Sequence, residues 1–279
     1  MLTGRELKNI WREAGFRPSK RLGQNFLTDA NVLKKILATV QISPGDTVVE
    51  IGPGFGEITG ALARRAKKVI ALEKDRRIIE ILKNRLKLPP NAEVIRQDFL
   101  DFNFSETEPE EKIVVYGNLP YYATSPIIEK ILKNINRIKK VYFVVQKEVA
   151  SRILAGPGSR ETGRLTVFVR YYTEPRFLFH INRRSFYPVP EVESSFVELT
   201  VPEKRRVRVA DEAKFFGIVK AAFAQRRKTL LNSLSGLVSD KKVLSELLTK
   251  AGISPKSRAE ELSVGDFARL TCVFAQNRL

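Results

Sequence analysis

The chain has 279 residues, 43% of them hydrophobic, which is enough for one large domain and a small one. A total of 49 Lys and Arg against 31 Asp and Glu gives a formal charge of +18, which attracts polyanions and indicates a nucleic-acid partner. A single cysteine, Cys272, and a single histidine, His180, exclude an intrachain disulfide and a zinc site built from His and Cys ligands.

The first 30 residues form a basic N-terminal segment that begins MLTGRELKNIWREAG. It is charged throughout and lacks the apolar region of a signal peptide, and no apolar run in the chain approaches the roughly 20 residues that span a bilayer. We therefore expect a cytoplasmic protein with no membrane partner. The Arg and Lys content before Lys20 indicates a segment that becomes ordered on binding RNA.

Short β-branched runs alternate with helical patterns from Thr47 to about Thr200. The runs are TVVEI, KKVIALE, AEVIRQ, KIVVYG and KVYFVVQ, followed by LTVFVRYY and SSFVELTV. Five runs separated by helix-length segments predict a parallel, doubly wound sheet. The later, closely spaced runs predict antiparallel strands at one edge of that sheet.

The composition shifts to Pro and dense charge in TVPEKRRVR, from Thr200 to Arg208. This shift predicts a boundary between a domain of residues 1–200 and a second domain of residues 201–279. Beyond it, DEAKFFGIVKAAFA, KTLLNSL and DFARLTCVFA carry apolar residues at helical spacing. The second domain should therefore be small and all-helical.

A glycine loop follows the first predicted strand in VVEIGPGFGEITGALARRA, with Gly52, Gly54 and Gly56. Glycines let the backbone turn tightly and approach a ligand at the start of the next helix, which indicates a nucleotide-type cofactor. The third glycine of the dinucleotide pattern G-x-G-x-x-G is out of register, which disfavours NAD.

Two acids end the next two predicted strands. Glu73 stands at the spacing where an acid accepts hydrogen bonds from ribose hydroxyls, and Asp98 is placed to accept from an adenine amino group. Singly, such acids are more often solvated strand ends or helix caps. Together with the glycines they favour a cofactor that contains a nucleoside.

The fourth strand tip carries GNLPYY, residues 117–122. The amide oxygen of Asn118 and the backbone carbonyl of Leu119 can both accept hydrogen bonds from one exocyclic amine, and Pro120 stiffens Leu119. Two such acceptors would direct the lone pair of an adenine N6 at an electrophile such as a sulfonium methyl, so that positioning supplies much of the catalysis. Tyr121 offers a π face for an unstacked base or for the sulfonium cation.

Together these motifs resemble the S-adenosylmethionine-dependent rRNA adenine dimethyltransferases of the KsgA type over nearly the whole chain. The resemblance implies a Rossmann-like methyltransferase fold, mostly parallel with an antiparallel edge, and a small helical C-terminal domain. It implies S-adenosylmethionine as cofactor, S-adenosylhomocysteine as product and no metal. The implied reaction is dimethylation of two adjacent adenosines near the 3′ end of 16S rRNA, in a 30S precursor, by a monomer that is also an assembly factor.

The resemblance also assigns roles to residues. KRLGQNFLTD is similar to the family segment that covers the cofactor, and EIGPGFGEIT to its methionine-binding motif. GNLPYY is similar to the catalytic motif, and SFYPVPEVESS to the loop that carries a second stacking aromatic. The implied cofactor contacts are Asn25, Leu27, Gly52, Gly54, Glu73, Asp98 and Asn118. The implied catalytic residues are Asn118, Leu119, Pro120, Tyr121 and Phe186.

Five basic residues are expected to contact RNA phosphates, which adds salt-dependent affinity without reading sequence. FAQRRKTLLNSL resembles the small-subunit branch of the family, and its cations would otherwise be a solvated helix end. The five are Lys20, Arg21, Arg226, Arg227 and Lys228.

Several alternatives remain open at this level. Erm-type enzymes, which methylate large-subunit rRNA, share QNFL and the glycine loop but usually carry isoleucine in place of Leu119. A subunit-assembly factor, a DNA adenine methyltransferase and a protein glutamine methyltransferase are further possibilities. Cytosine carbon-5 chemistry is disfavoured because it needs a thiolate and Cys272 lies in the helical tail. His180, in RFLFHI, is interpreted as a strand residue rather than a base.

Overall fold

A computed structural model describes residues 4–19, 22–85, 88–107 and 112–277. The strands are β1 (Phe26–Leu27), β2 (Thr47–Ile51), β3 (Lys68–Glu73), β4 (Ala92–Arg96), β5 (Ile113–Asn118), β6 (Ile138–Gln146), β7 (Glu174–Ile181), β8 (Phe186–Tyr187) and β9 (Ser194–Thr200). The helices are α1 (Gly4–Glu13), α2 (Ala30–Thr39), α3 (Glu57–Ala63), α4 (Arg76–Arg85), α5 (Thr124–Lys133), α6 (Lys147–Leu154), α7 (Arg164–Tyr172), α8 (Glu212–Ala222), α9 (Leu230–Ser233), α10 (Lys241–Lys250) and α11 (Val264–Gln276).

Seven strands form one sheet in the order β4-β3-β2-β5-β6-β9-β7. Neighbours from β4 to β6 are parallel, and β9 pairs with β6 antiparallel. The five runs predicted as parallel strands are β2 to β6, so the mostly parallel sheet with an antiparallel strand is confirmed. Strands β1 and β8 form a separate antiparallel pair.

The central strands are apolar because helices cover both faces of a doubly wound sheet. All five residues of β2 are buried, as are the first five of β5. Parallel strands place their carboxyl ends at one edge, so the residues that follow β2, β3, β4 and β5 gather there. This edge carries the predicted site.

One predicted strand is wrong: LTVFVRYY forms helix α7. The backbone N–H of Gly163 donates to Thr166 Oγ1 (3.0 Å) at the helix start. At its end, the hydroxyls of Tyr171 and Tyr172 donate to the carboxylate of Glu212 at 3.1 and 2.7 Å. These tertiary contacts and the packing of α7 on α8 and α11 override the β propensity of its branched and aromatic residues.

The strand at that sheet edge is instead the following segment, EPRFLFHI, which forms β7. His180 lies in this strand, as interpreted from the sequence, and its Nδ1 is 3.0 Å from Ser195 Oγ. His180 therefore has a polar partner and lies outside the cavity described below.

The chain divides into two compact units. The first comprises Met1–Ala150 and Arg176–Val201, and the second comprises Ser151–Pro175 and Pro202–Leu279. The predicted domains and these units share a boundary near Val201, and they differ over residues 151–175, which contain α7. No described helix is both long enough and apolar enough to cross a membrane.

The close packing of β5 against β2 leads to a prediction at Gly117. A Cβ there would lie 2.8 Å from Leu119 Cδ2 and 3.1 Å from Ile51 Cβ. Because both neighbours are buried, Gly117→Ala should lower the free energy of unfolding by roughly 1–3 kcal/mol. Denaturant titration measures this change.

A matched control for that experiment is Gly217→Ala in α8, where no described atom lies within 4 Å of the added Cβ apart from its chain neighbours and the nearby backbone of α8. Alanine in an open helix position should stabilise by about 0.5–1 kcal/mol. Equal effects of the two substitutions would contradict the packing account of Gly117.

Candidate active site

A cavity in the first unit opens at the carboxyl edge of the sheet. It is lined by the ends of β2 to β5, by β1 and by β8. Every described residue that the sequence assigned to cofactor or target lies on this cavity: Asn25, Leu27, Gly52, Gly54, Glu73, Asp98, Asn118, Leu119, Pro120, Tyr121 and Phe186. Lys20 and Arg21 lie outside the described residues. The structure thus brings the predicted cofactor and target residues together.

The glycine loop leaves β2 with three left-handed backbone conformations. The backbone angle φ is 68° at Gly52, 55° at Gly54 and 76° at Gly56. Residues that carry a Cβ rarely adopt such positive values. A Cβ on Gly54 would approach the ring of Phe26 to 3.3 Å. Around Gly52, by contrast, no described atom beyond its two chain neighbours lies within 4 Å of the Cβ position. The backbone at Gly52 therefore borders open space in the cavity.

Glu73 and Asp98 occupy different electrostatic environments. Glu73 is buried, its Oε1 accepts the backbone N–H of Asp75 at 2.8 Å, and burial raises its pKa to about 7. Asp98 is partly exposed, and its Oδ2 lies 3.2 Å from Lys74 Nζ. The ribose candidate is therefore a desolvated carboxyl, and the adenine candidate is a paired carboxylate.

A second buried acid, Glu50, was missed by the sequence interpretation. It is 1% exposed, and its Oε2 has no hydrogen-bond partner among the described residues. Burial raises the pKa of Glu50 to about 7, and the charge of Glu73 adds to the increase. The only signal in the sequence is one acid inside the apolar strand TVVEI.

Asn118 is held in one orientation at the end of β5. Its Nδ2 donates to the backbone carbonyl of Asn25 at 3.0 Å, so the other atom of the amide, Oδ1, points away from that contact. The N–H of Leu119 donates to the carbonyl of Val144 at 3.0 Å, and the Leu119 side chain is buried. Pro120 has a φ of −67°. These contacts fix the backbone that carries the Leu119 carbonyl.

The two predicted stacking aromatics differ in exposure. Tyr121 is half-buried, and burial raises its pKa while a hydrogen bond with Ser194 acts in the opposite direction. Phe186 is only 3% exposed and lies opposite Leu27 in the β1–β8 pair. Phe186 therefore belongs to the core as well as to the cavity wall.

A further aromatic, Tyr122, was also missed. It is 52% exposed, lines the cavity, and has Lys74 Nζ at 5.1 Å from its ring centroid. Lys74 also contacts Asp98, so it joins the end of β4 to the turn after β5. The second tyrosine of GNLPYY was the feature of the sequence from which this residue of the cavity could have been predicted.

The N-terminal helix α1 contributes a buried aromatic cluster beside the glycine loop. The Trp11 ring lies 5.3 Å from Phe55 in that loop and 5.3 Å from Phe26 in β1, measured between centroids. Phe16 packs on both Phe26 and Phe55 at 6.0 Å. The N-terminal segment is therefore docked beside the glycine loop by apolar contacts.

In the second unit, the basic residues after α8 have unequal surroundings. The Arg226 guanidinium donates to the carbonyls of Arg160 and Thr162 and lies 3.8 Å from Glu260. Arg227 and Lys228 are exposed. Arg226 therefore anchors the neighbouring loop, whereas the other two side chains extend toward solvent.

Within the described ranges, no group of three or more His, Cys, Asp or Glu side chains is placed to hold a metal ion. The doubly wound sheet, the glycine loop and the polar residues at successive strand ends together define a Rossmann-like methyltransferase fold.

The comparisons with known proteins narrow this class. A family model described as Ribosomal RNA adenine dimethylase matches residues 15–276. The Ribosomal RNA small subunit methyltransferase A of Bacillus cytotoxicus is 41% identical over 286 residues, covering 99% of this chain and 98% of that protein. The protein of the same description from Bacillus mycoides is 42% identical with the same coverage.

Two solved structures are also similar. A dimethyladenosine transferase from Plasmodium falciparum has a TM-score of 0.79 and 27% identity, covering 91% of this chain and 98% of that chain. The 23S rRNA methyltransferase ErmE has a TM-score of 0.71 and 28% identity, covering 90% and 100%. The chain belongs to the ribosomal RNA adenine dimethylase family, which confirms the resemblance seen in its motifs.

The raised pKa of Glu50 predicts how stability depends on pH. The folded protein holds a proton on Glu50 up to about pH 7, whereas the unfolded chain releases it near the ordinary value of 4.5. The protonated Glu50 carboxyl therefore makes its full contribution to stability below its pKa in the unfolded chain. This contribution is lost as the pH rises through the pKa of Glu50 in the folded protein. Glu50→Gln should stabilise the ligand-free protein by roughly 1–3 kcal/mol at about pH 8 and by much less at about pH 5.

Thermal unfolding of the purified protein at the two pH values measures this effect. Glu246→Gln, which removes an exposed carboxylate of α10, is the matched control and should change little at either pH. A stabilisation by Glu50→Gln that is equal at both pH values would contradict a proton-linked origin.

Proposed function

We propose that this chain uses S-adenosylmethionine to dimethylate the N6 amines of two adjacent adenosines near the 3′ end of small-subunit rRNA. The observation that carries the proposal is the oriented amide of Asn118, beside the fixed Leu119–Pro120 backbone, in a cavity bordered by the glycine loop. The Bacillus relatives, which are named for the small subunit, support the choice of substrate.

The cavity fits a ligand that carries positive charge. Glu50 and Glu73 are both buried on its wall, and Glu50 Oε2 lacks a hydrogen-bond partner among the described residues. A buried carboxyl is stabilised in its ionised form by an adjacent cation. S-adenosylmethionine, which has sulfonium and ammonium charges, would supply the electrophilic methyl group when bound.

We assign the cofactor contacts according to the strand ends. Glu73 would accept hydrogen bonds from the ribose hydroxyls and Asp98 from the adenine amino group. The backbone at Gly52 and Gly54 would allow close approach of the methionine portion, and Asn25 and Leu27 would cover it. No metal has a role in this scheme.

Asn118 Oδ1 and the Leu119 carbonyl would accept the two hydrogens of the target amine. In the first transfer, holding both hydrogens to one side directs the nitrogen lone pair toward the methyl group, so no strong base has to remove a proton first. The methylated nitrogen would then release its surplus proton to water, and in the second transfer its one remaining hydrogen would be held by one of the two acceptors. Pro120 supplies no N–H that could compete. Tyr121 would stack on the target base, and Phe186 would contact it only with the part of its ring that lines the cavity.

The RNA partner follows from charge as well as from the relatives. We propose that a 30S precursor is bound through the net +18 charge, with Lys20, Arg21, Arg227 and Lys228 on phosphates. Arg226 would also contact a phosphate while its guanidinium still donates to the carbonyls of Arg160 and Thr162. We further propose that the protein is a monomer and acts in the cytoplasm, where small subunits assemble.

The central test is methyl transfer to purified small and large ribosomal subunits that lack native methylation, followed by nucleoside analysis. Dimethyladenosine on the small subunit alone is expected. Label on the large subunit would place the chain with ErmE-like activity, and label on neither subunit would remove the proposed reaction.

Asn118→Ala should reduce this transfer by at least roughly a hundredfold, because it removes one acceptor of the target amine. The fold should persist, as thermal unfolding will show. The matched control is Asn134→Ala. Like Asn118, Asn134 donates its side-chain amide to a backbone carbonyl, here that of Lys130 at 2.9 Å, but it lies away from the cavity. Full activity in the Asn118 variant would exclude the mechanism.

The exposed pair after α8 gives a separate prediction. Replacing Arg227 and Lys228 by Gln should weaken binding to small subunits and lower the slope of log affinity against log salt by about 1–2. Filter binding over a salt series measures the slope. Replacing Lys242 and Lys250 of α10 by Gln removes the same charge and should leave the slope nearly unchanged; an equal loss would indicate a nonspecific charge effect.

The charge also favours a second role as a small-subunit assembly factor. Glu73→Ala, which should not hold the cofactor, would then still bind immature small subunits. Failure of that variant to bind any subunit precursor would remove this second role.

A further inference from the structure

Two adjacent residues of the N-terminal segment connect two different strand ends across the cavity. We use the name covering segment for residues 22–27. Gln24 Nε2 donates to Asp75 Oδ2 at 2.9 Å, just beyond the end of β3. The carbonyl of the next residue, Asn25, accepts from Asn118 Nδ2 at 3.0 Å, at the end of β5. The covering segment is thus attached on both sides of the cavity by polar contacts.

Asp75 is the centre of the first attachment. It is 7% exposed, and its Oδ1 accepts the backbone N–H and Nε of Arg77, both at 3.0 Å. Its Oδ2 accepts Arg77 Nη2 at 2.7 Å as well as Gln24 Nε2. Its own backbone N–H donates to Glu73 Oε1 at 2.8 Å. One buried residue therefore contacts the ribose candidate and the covering segment together.

The charge state of Asp75 suits this role. Burial acts to raise its pKa, but hydrogen bonds from Arg77 and Gln24 outweigh burial and hold the pKa below the ordinary value. Asp75 is therefore an ionised acceptor, and a hydrogen bond from Gln24 to a carboxylate is stronger than one between neutral groups. Arg77 extends the same network, since its guanidinium lies 5.0 Å from the ring centroid of Phe16.

Gln24 is held at both ends of its amide. Its Oε1 accepts the backbone N–H of Ser19 at 2.7 Å while its Nε2 binds Asp75. Because Asn25 follows directly, a fixed Gln24 places the Asn25 carbonyl where Asn118 Nδ2 can reach it. Without that carbonyl, the Asn118 amide loses the contact that distinguishes its nitrogen from its oxygen.

We propose that Asp75 is a positioning residue that joins the Glu73 end of the cofactor cavity to the covering segment and thereby sets the orientation of the Asn118 amide. The role of Asn118 in this statement rests on the proposed function. The contacts of Asp75 and Gln24 do not, because they are present in the protein alone.

Amide hydrogen exchange of the full-length protein, without RNA or cofactor, tests the attachment. Asp75→Ala and Gln24→Ala should each raise exchange of the covering segment about tenfold or more, the loss expected for a charge-assisted hydrogen bond. The double variant should raise exchange by less than the product of the two single effects, because both substitutions remove the contact between Gln24 and Asp75.

Two further variants separate positioning from general destabilisation. Asp75 also caps the start of α4, so the control is Asp240→Ala, which removes a cap from α10 that accepts the N–H groups of Lys242 and Val243 at 2.7 and 3.3 Å. That variant should leave the covering segment unchanged. Asp75→Asn presents one amide oxygen in place of two carboxylate oxygens, and because Arg77 approaches both oxygens whereas Gln24 approaches only Oδ2, it should restore the protection only in part.

Calorimetry with S-adenosylhomocysteine gives an independent readout. Affinity should fall about tenfold in Gln24→Ala, and it should fall less in Asp75→Asn than in Asp75→Ala. In the methyl-transfer reaction, Gln24→Ala should lower kcat while leaving KM for the ribosomal subunit unchanged, because Gln24 sets the amide orientation and does not bind RNA.

Unchanged exchange of the covering segment in Gln24→Ala would overturn the proposal, even if Asp75→Ala proved too unstable to measure. The outcome is distinguishable from failure of the proposed function. A wild-type protein that methylates neither subunit would refute the reaction and leave the exchange result valid, whereas an active wild type with unchanged exchange would refute the Asp75 role alone.

Discussion

The hydrogen bond from Asn118 Nδ2 to the carbonyl of Asn25 is the contact on which the proposed chemistry of this site depends. An asparagine amide can rotate by 180° at almost no intrinsic cost, so that its NH2 donor and its oxygen acceptor change places. A target amine needs the oxygen, and an amide presented the other way would repel it. One backbone carbonyl from a distant part of the chain decides between the two arrangements. In the proposed reaction the N-terminal segment therefore acts on the orientation of the Asn118 amide and does more than cover the cavity.

A second constraint is the desolvation of two acids at neighbouring strand ends. Glu50 and Glu73 are both buried near the glycine loop, and each has its pKa raised to about 7. Removing carboxylates from water is costly unless an opposite charge or several donors compensate. The protein alone provides one backbone N–H to Glu73 and leaves Glu50 Oε2 without a partner among the described residues. Such a cavity is less stable than an apolar one and prefers a cationic ligand.

Sequence patterns predicted most of the sheet, and the described residues that they assigned to cofactor and target gather on one cavity, because both results depend on local order. Strand runs of β-branched residues are continuous in the chain, and the polar residues that end them converge by topology alone. The failures involve contacts distant in sequence. LTVFVRYY has the composition of a strand, but Tyr171 and Tyr172 reach Glu212 some 40 residues away. Asp75, two residues beyond Glu73, gave no signal because its partner Gln24 lies 51 positions earlier.

The distribution of charge separates the two ligands that the proposed reaction must bring together. The chain as a whole carries +18, and exposed cations such as Arg227 and Lys228 face solvent, where phosphates can approach. The cavity wall differs: Glu50 and Glu73 are buried acids whose raised pKa values leave them partly protonated near neutral pH and able to ionise beside a cation, and Asp98 is already paired with Lys74. A polyanion is therefore attracted to the surface and disfavoured in the cavity, while a cationic cofactor is favoured there and disfavoured on the surface. Only a neutral base, extended from its backbone, meets no electrostatic penalty on passing from one region to the other. Charge placement thus admits an uncharged base of any kind to the cavity, and in the proposed reaction the choice of adenine is left to the two acceptors at Asn118 and Leu119.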